Sequence, residues 1–248
     1  MSADGLRGTA AYDAVAQEYA AGSETAPYNA LYERPAVIEL LGDVRGKRVL
    51  DVGCGSGPLS QWLTKNGASV VGFDVSPAMV RIAEERRLPD ASFRVADFAE
   101  PLAFLPDAAF DVAVGSLVMH YLRDWVGPLR ELKRVLVPGG TLVLSTHHPA
   151  QDIDLSVTGN YFGVELLDDR WDVGGKVFDV HFWRRPLAAM FSAFDQAGFT
   201  VEILHEPMPV EACRTRFPEA WDELTTKPAF VFFRLTTSTN GGCAPARR

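Results

Sequence analysis

Residues 49–60, VLDVGCGSGPLS, set a carboxylate, Asp51, at the end of an apolar run and then three glycines, Gly53, Gly55 and Gly57, within five positions. Glycines let a backbone approach a ligand closely and adopt conformations closed to other residues. An apolar run, a glycine turn and a helix start are what an open α/β sheet uses to offer backbone N–H groups and a helix N-terminus to a nucleotide-type ligand. A dinucleotide turn reads GxGxxG against a pyrophosphate. Here the third such position is Pro58, and Asp51 stands just ahead of the turn, where its charge opposes a phosphate.

A ligand with an ammonium group reverses that sign, because Asp51 can accept from it in a charge-assisted bond of about 1.5–3 kcal/mol. S-adenosylmethionine is such a ligand: it has no phosphate, its methionine end carries an ammonium, and its sulfonium is cationic as well. Its adenosine offers two vicinal hydroxyls and an exocyclic amine, all donors. Asp74 in VVGFDVSPAMV and Asp97 in FRVADF end later apolar runs and supply matching acceptors. Capping a helix or loop is the lesser reading of Asp74 beside Ser76.

Five short apolar, β-branched runs position these groups: GKRVLDVG, ASVVGFDV, ASFRVADF, AFDVAVGS and GGTLVLST. Segments of helical character separate them at Leu59–Asn66, Pro77–Arg87, a weak stretch over Glu100–Leu105, and Trp125–Leu136. Ser76 with Pro77 reads as an N-cap and first helical position, and Pro138-Gly139-Gly140 as a helix stop before the fifth strand. Continuous apolar strands alternating with helices mean a parallel sheet covered on both faces. Beyond Thr146, residues 147–185 show no clear period and are too long for an ordinary connection, which predicts a functional cover or lid with some structure of its own. Pro186–Ala197 reads as a helix, and TVEILHEP and AFVFFRLTT as strands.

The expected fold is therefore α/β, a doubly wound, Rossmann-like, mostly parallel seven-stranded sheet with helices on both faces and an inserted lid after the fifth strand. One domain is expected over residues 1–237, with an N-terminal helical cover at 10–44, a core at about 45–146, the lid at 147–185 and a C-terminal part at 186–237. The tail at 238–248 and the first ten or so residues read as disordered, because little in them can be buried.

Four motifs in register resemble the class I S-adenosylmethionine-dependent methyltransferases, in particular the ubiquinone and menaquinone biosynthesis branch. They are VLDVGCGSG, VVGFDVSPAMV, FRVADF, and FDVAVGSLVMHYLRDW with ELKRVLVPGGTLVLST, and the resemblance covers roughly Tyr12 to Thr237. It implies S-adenosyl-L-methionine as cofactor, S-adenosyl-L-homocysteine as product, and a binding set of Asp51, Gly53, Cys54, Gly55, Asp74, Val75, Met79, Asp97, Phe98 and Ser116. Asp74 would hold the ribose hydroxyls, Met79 would pack on adenine, Asp97 would accept from the adenine amino group, and the Phe98 backbone would contact the ring. The N-terminal segment in this family folds over the cofactor, and Tyr19 and Tyr28 are the tyrosines expected to reach it; packing on the sheet edge explains them equally well.

An activated methyl on sulfur leaves the enzyme mainly to align a nucleophile and exclude water. A base is needed only where the acceptor arrives protonated. His120 and Tyr121 after the fourth strand and His147 and His148 after the fifth are the catalytic candidates, each at a strand's carboxyl end. Hydrogen bonding that shapes the cavity accounts for any single histidine about twice as readily. GSLVMHY lacks the Pro-Pro-aromatic turn found where amino groups of bases or amides are methylated.

Tyr161, Phe162, Trp171, Phe178, Phe182 and Trp183 fall near the expected mouth, where they suit an aromatic or apolar small molecule, an added core layer or a homodimer contact alike. Arg184 and Arg185 could pair with an acidic substrate group, though a helix-flanking role is the commoner one.

The formal net charge of -8 argues against a nucleic-acid partner. No stretch approaches ~20 uninterrupted apolar residues and no secretory signal is visible, so a cytoplasmic protein without a membrane span is expected. Cys54, Cys213 and Cys243 contain no CxxC pair, which fits a reducing compartment and no metal. Cys54 reads better as a small buried side chain than as a reactive thiolate. The rival functions are a non-catalytic S-adenosylmethionine-binding module, a nicotinamide-dependent oxidoreductase, and a rearrangement catalyst that uses the sulfonium electrostatically.

Overall fold

A computed structural model of the chain describes residues 1–3 and 12–237; the expected disordered segments and Cys243 lie almost wholly outside them. β1 (Arg48–Val52) is apolar towards both sides of its sheet: Leu50 and Val52 pack into one core and Val49 into another. That is the pattern of a strand covered on both faces.

β1 pairs in parallel with β2 (Ser69–Asp74) and β4 (Phe110–Gly115); β2 pairs with β3 (Ala91–Val95), and β4 with β5 (Leu136–His147). β9 (Phe230–Thr237) then joins β5 antiparallel and carries β8 (Phe199–His205) at the edge. The seven-stranded sheet has the order β3-β2-β1-β4-β5-β9-β8, mostly parallel as the sequence predicts. Between β1 and β4 the direction of winding reverses, and a crevice opens there at the carboxyl ends.

α1 (Ala16–Ser23) and α2 (Arg34–Leu41) precede the sheet. α2 and α3 (Pro58–Lys65) bury Val37, Leu40, Leu59 and Leu63 against Val49, Val112, Val143 and Phe232 on one face. α5 (Val126–Val135) and α6 (Leu187–Ala197) bury Leu129, Leu132, Met190 and Phe194 against Leu50, Ala113, Leu144 and Phe233 on the other. α4 (Pro77–Glu85) has Ser76 as its N-cap, the hydroxyl accepting from Met79 N–H at 3.1 Å. Two short helices, α7 (Glu211–Arg216) and α8 (Pro218–Leu224), lie between the last two strands.

Two expectations are corrected, and the segment after β5 gains a definite form. Glu100–Leu105 forms turns and no helix, Pro101 leaving too few residues for a stable nucleus. Pro138-Gly139-Gly140 lies within β5, as an irregularity where the register with β4 shifts between Phe110 and Val112; α5 has already ended at Val135. Residues 147–185 carry a regular antiparallel hairpin, β6 (Glu165–Val173) and β7 (Lys176–Arg184), turning at Gly174-Gly175.

Candidate active site

Asp51, one residue before the end of β1, lies on the face covered by α3, where its Oδ2 accepts from the Ser60 hydroxyl at 2.5 Å. The chain then turns sharply. Gly53 has φ +66°, and a Cβ there would fall 2.6 Å from Val118 Cγ2, so both conformation and space require glycine. Cys54 N–H donates to the Phe73 carbonyl at 2.9 Å, tying the turn to β2. Its thiol is buried, and that burial pushes it well above its ordinary pKa, against a reactive thiolate.

Asp74 ends β2 and joins two turns: Oδ2 accepts from Gly55 N–H and Oδ1 from Ser76 N–H, each at 2.9 Å. Val75 N–H is a further backbone donor to this carboxylate, whose four lone pairs still leave capacity for another. Asp97, after β3, accepts from Ala99 N–H at 2.9 Å and from Ser2 N–H at 2.6 Å.

The N-terminal segment completes the wall. Asp13 accepts from the Ser76 hydroxyl and from Ala78 N–H, which fastens the segment to the start of α4. The Tyr12 ring meets Tyr19 edge-on at 4.9 Å and Tyr121 at 5.9 Å. Between α1 and α2, Asn29–Glu33 forms a wide π-helical turn directly ahead of Pro35, whose ring would clash with the Leu31 carbonyl in a regular α-helix. This turn buries Tyr32, stacked on Phe230, and presents Glu33, whose Oε1 accepts from Ser116 Oγ at 2.7 Å and from Ser145 Oγ at 2.5 Å.

These groups enclose one cavity of about 1130 Å³ including its mouth. Of the residues expected from the sequence, Asp51, Gly53, Cys54, Gly55, Asp74, Val75, Met79, Asp97, Phe98, Ser116, Tyr19 and Tyr121 line it. Tyr12, Ser23, Asn29, Glu33 and Arg34 also line it, without having been singled out as ligands. Tyr28 does not; its hydroxyl donates to Glu223 at 2.7 Å. Arg34 is the only basic side chain among the described lining residues, facing the carboxylates of Glu33, Asp51, Asp74 and Asp97. Burial raises Glu33 and Asp74, and it takes Asp51 to about 7, with the charges of Asp74 and Glu33 pushing the same way.

The three candidate histidines lie behind this wall. His120 is 2% exposed, stacked on His147 with ring centroids 4.0 Å apart, and burial first, then His147, holds it well below the usual imidazole pKa. His147 packs edge-on against Phe182 at 4.4 Å, and His148 Nε2 lies 2.9 Å from Glu206. None of the three lines the cavity.

Trp171, Phe178 and Phe182 join Leu167 and Val180 in an added core layer against Tyr121, while Phe162 is exposed. The two arginines are committed to carbonyls: Arg184 donates to those of Asn160, Tyr161 and Gly163, and Arg185 to that of Leu122 at 2.6 Å. Among the described residues no cluster of three or more His, Cys, Asp or Glu could hold a metal, and no helix is long and apolar enough to cross a membrane.

Comparison with known proteins bears on this arrangement. Residues 50–144 match the methyltransferase domain family. The chain is 26% identical over 234 residues to an uncharacterized protein of Haemophilus influenzae, covering 83% of this chain and 87% of that one. It is 35% identical over 113 residues to the demethylmenaquinone methyltransferase of Tropheryma whipplei, covering 45% of this chain and 46% of that one, so the match spans about half the length of that curated relative. The crystal structure of an S-adenosylmethionine-dependent methyltransferase from Mesorhizobium loti superposes with TM-score 0.67 at 27% identity, over 87% of this chain and all of that one (100%).

Proposed function

Because the chain belongs to the class I S-adenosylmethionine-dependent methyltransferases, with that cofactor as theirs, we propose that it transfers methyl to an O, N or C nucleophile of a small molecule by in-line displacement. The carrying observation is convergence. Asp51, Asp74 and Asp97, from three neighbouring strand ends, face one cavity whose wall also includes Tyr12, Tyr19 and Tyr121.

The residues fit the cofactor by chemistry. Asp51 offers a buried carboxylate to an ammonium, and Arg34 offers a guanidinium to the neighbouring carboxylate. Asp74 and Asp97 have free lone pairs for the ribose hydroxyls and the adenine amine, with Met79 and Phe98 as apolar surfaces for the ring. When bound, the cofactor supplies an electrophilic methyl on a cationic sulfur.

The chain's own part is placement and exclusion of water. Tyr12 and Tyr121 join the N-terminal cover to the loop after β4, and with Val118 and Leu122 they border the acceptor side. The β6–β7 hairpin backs that side through Phe178 against Tyr12 and through Lys176, which pairs with Glu18 of α1 at 2.5 Å. In this reading residues 1–237 act as one domain, and the hairpin and the N-terminal segment close it together. His120 and His147 position Tyr121 and the hairpin instead of taking the proton.

The test is a screen of quinols, phenols and amines with the labelled methyl donor, quinols first because one relative is named for a menaquinone precursor. Labelled product with any member supports the reading. Donor binding without product across the panel favours the non-catalytic module.

A further inference from the structure

We propose that Glu33, carried by the N-terminal cover, is a second carboxylate for the α-ammonium of the cofactor, sharing that group with Asp51 of β1. The proposal rests on the reading of the cavity as the S-adenosylmethionine site and adds a ligand that the core motifs do not contain.

Side-chain alternation carries the geometry. Val49 of β1 and Val143 of β5 face the core covered by α2 and α3, so Asp51 and Ser145, two residues further along each strand, face it too. The π-helical turn lowers Glu33 onto that face at the level of the strand ends. There the hydroxyls of Ser116 and Ser145 both donate to Oε1, and Ser145 Oγ in turn accepts from Leu117 N–H at 2.9 Å. The carboxylate is thus oriented by fixed donors, with both hydroxyl bonds on one oxygen and Oε2 left clear of them.

Glu33 is 3% exposed and Asp51 1%, and both line the same cavity. Burial raises both carboxyls, and at Asp51 the charges of Asp74 and then Glu33 push the same way. Arg34, the nearby guanidinium, donates to the Ser23 carbonyl at 2.9 Å instead of bridging them. A cation entering between Glu33 and Asp51 satisfies both, and of the expected ligand's two cationic centres only the ammonium has hydrogens to donate to carboxylates. Placing this ligand on the cover also gives the N-terminal segment a reason to close only over a complete amino acid.

The test compares two ligands by calorimetric titration of the full chain. S-adenosylhomocysteine has the amino-acid end, and 5′-methylthioadenosine lacks it. Glu33→Gln keeps an oxygen to accept from Ser116 and Ser145. It is expected to weaken S-adenosylhomocysteine binding about 10- to 100-fold, as for loss of a charge-assisted bond, and to leave 5′-methylthioadenosine binding as in the wild type. Retained binding of the second ligand doubles as proof that the variant folds.

Equal weakening of both ligands overturns the proposal in favour of a structural Glu33. Unchanged S-adenosylhomocysteine binding with reduced methyl transfer also overturns it, and moves Glu33 to the acceptor. A wild-type chain that binds neither ligand instead refutes the functional reading beneath it.

Discussion

The hydroxyls of Tyr12 and Tyr121 lie 2.5 Å apart, 109 residues distant in sequence, and bond the N-terminal cover to the loop after β4. Both phenols are pushed above their ordinary pKa, chiefly by burial, so they stay protonated across the neutral range and can share one proton while donating another. Tyr12→Phe and Tyr121→Phe each keep the ring contacts and lose this bond. A denaturant double-mutant cycle is expected to give a coupling of about 1 kcal/mol. A coupling near zero contradicts the bond.

Asp51 gives the clearest pH dependence. Its folded value near 7 exceeds its ordinary carboxylate value of 3.8, so its contribution to stability is present below the lower figure and is lost as pH rises through the upper one. An ammonium needs the ionised form, so ligand binding releases a proton. Affinity for S-adenosylhomocysteine is expected to rise about tenfold per pH unit below 7 and to level off above it. Calorimetry in buffers of different ionisation enthalpy reads the released proton directly, and Asp51→Asn should flatten the profile.

Asp97 is assigned to the adenine amino group, a claim that a single-atom change in the ligand addresses. Wild type should prefer S-adenosylhomocysteine to its inosine counterpart, which has a carbonyl there, by about tenfold or more. Asp97→Ala should erase that preference without abolishing the weaker binding. An unaltered preference puts the amine elsewhere.

The turn glycines should differ. Gly53 and Gly55 both have positive φ, +66° and +53°, but only at Gly53 does an added Cβ meet another group, Val118. Gly55→Ala is expected to cost about 1–3 kcal/mol for backbone conformation alone. Gly53→Ala adds a collision with the loop after β4 and should lower Tm further and remove ligand binding. Equal Tm shifts would leave the Val118 contact without consequence.

The carboxylates at the strand ends were legible in the sequence because several apolar runs ending at an aspartate follow one another in register; a single such run is a common pattern. Glu33 was not. A glutamate in YERP looks like an ordinary charged helix position, and only Pro35 beside it hints that the turn widens and carries the side chain inward. Tyr28 and Tyr12 show the same limit: both are tyrosines of the cover, and which one faces the cavity depends on the docking that Asp13 fixes at α4. The β6–β7 hairpin left a readable trace in the alternating Phe178, Val180 and Phe182 and in Gly174-Gly175, but on its partner strand Asp169 takes an inward position between Leu167 and Trp171 and Leu166 an exposed one, which breaks the pattern. The histidines stood at strand ends as expected, yet burial among aromatics took them away from the cavity surface.

The most direct measurement is calorimetric titration with S-adenosylhomocysteine and, in parallel, NAD, on wild type and Asp74→Ala. The account predicts saturable binding of S-adenosylhomocysteine, no binding of NAD, and a loss of about 100-fold or more in the variant, since Asp74 is assigned two donors of the ribose. Binding of NAD alone, or S-adenosylhomocysteine binding that the substitution leaves unchanged, would contradict it.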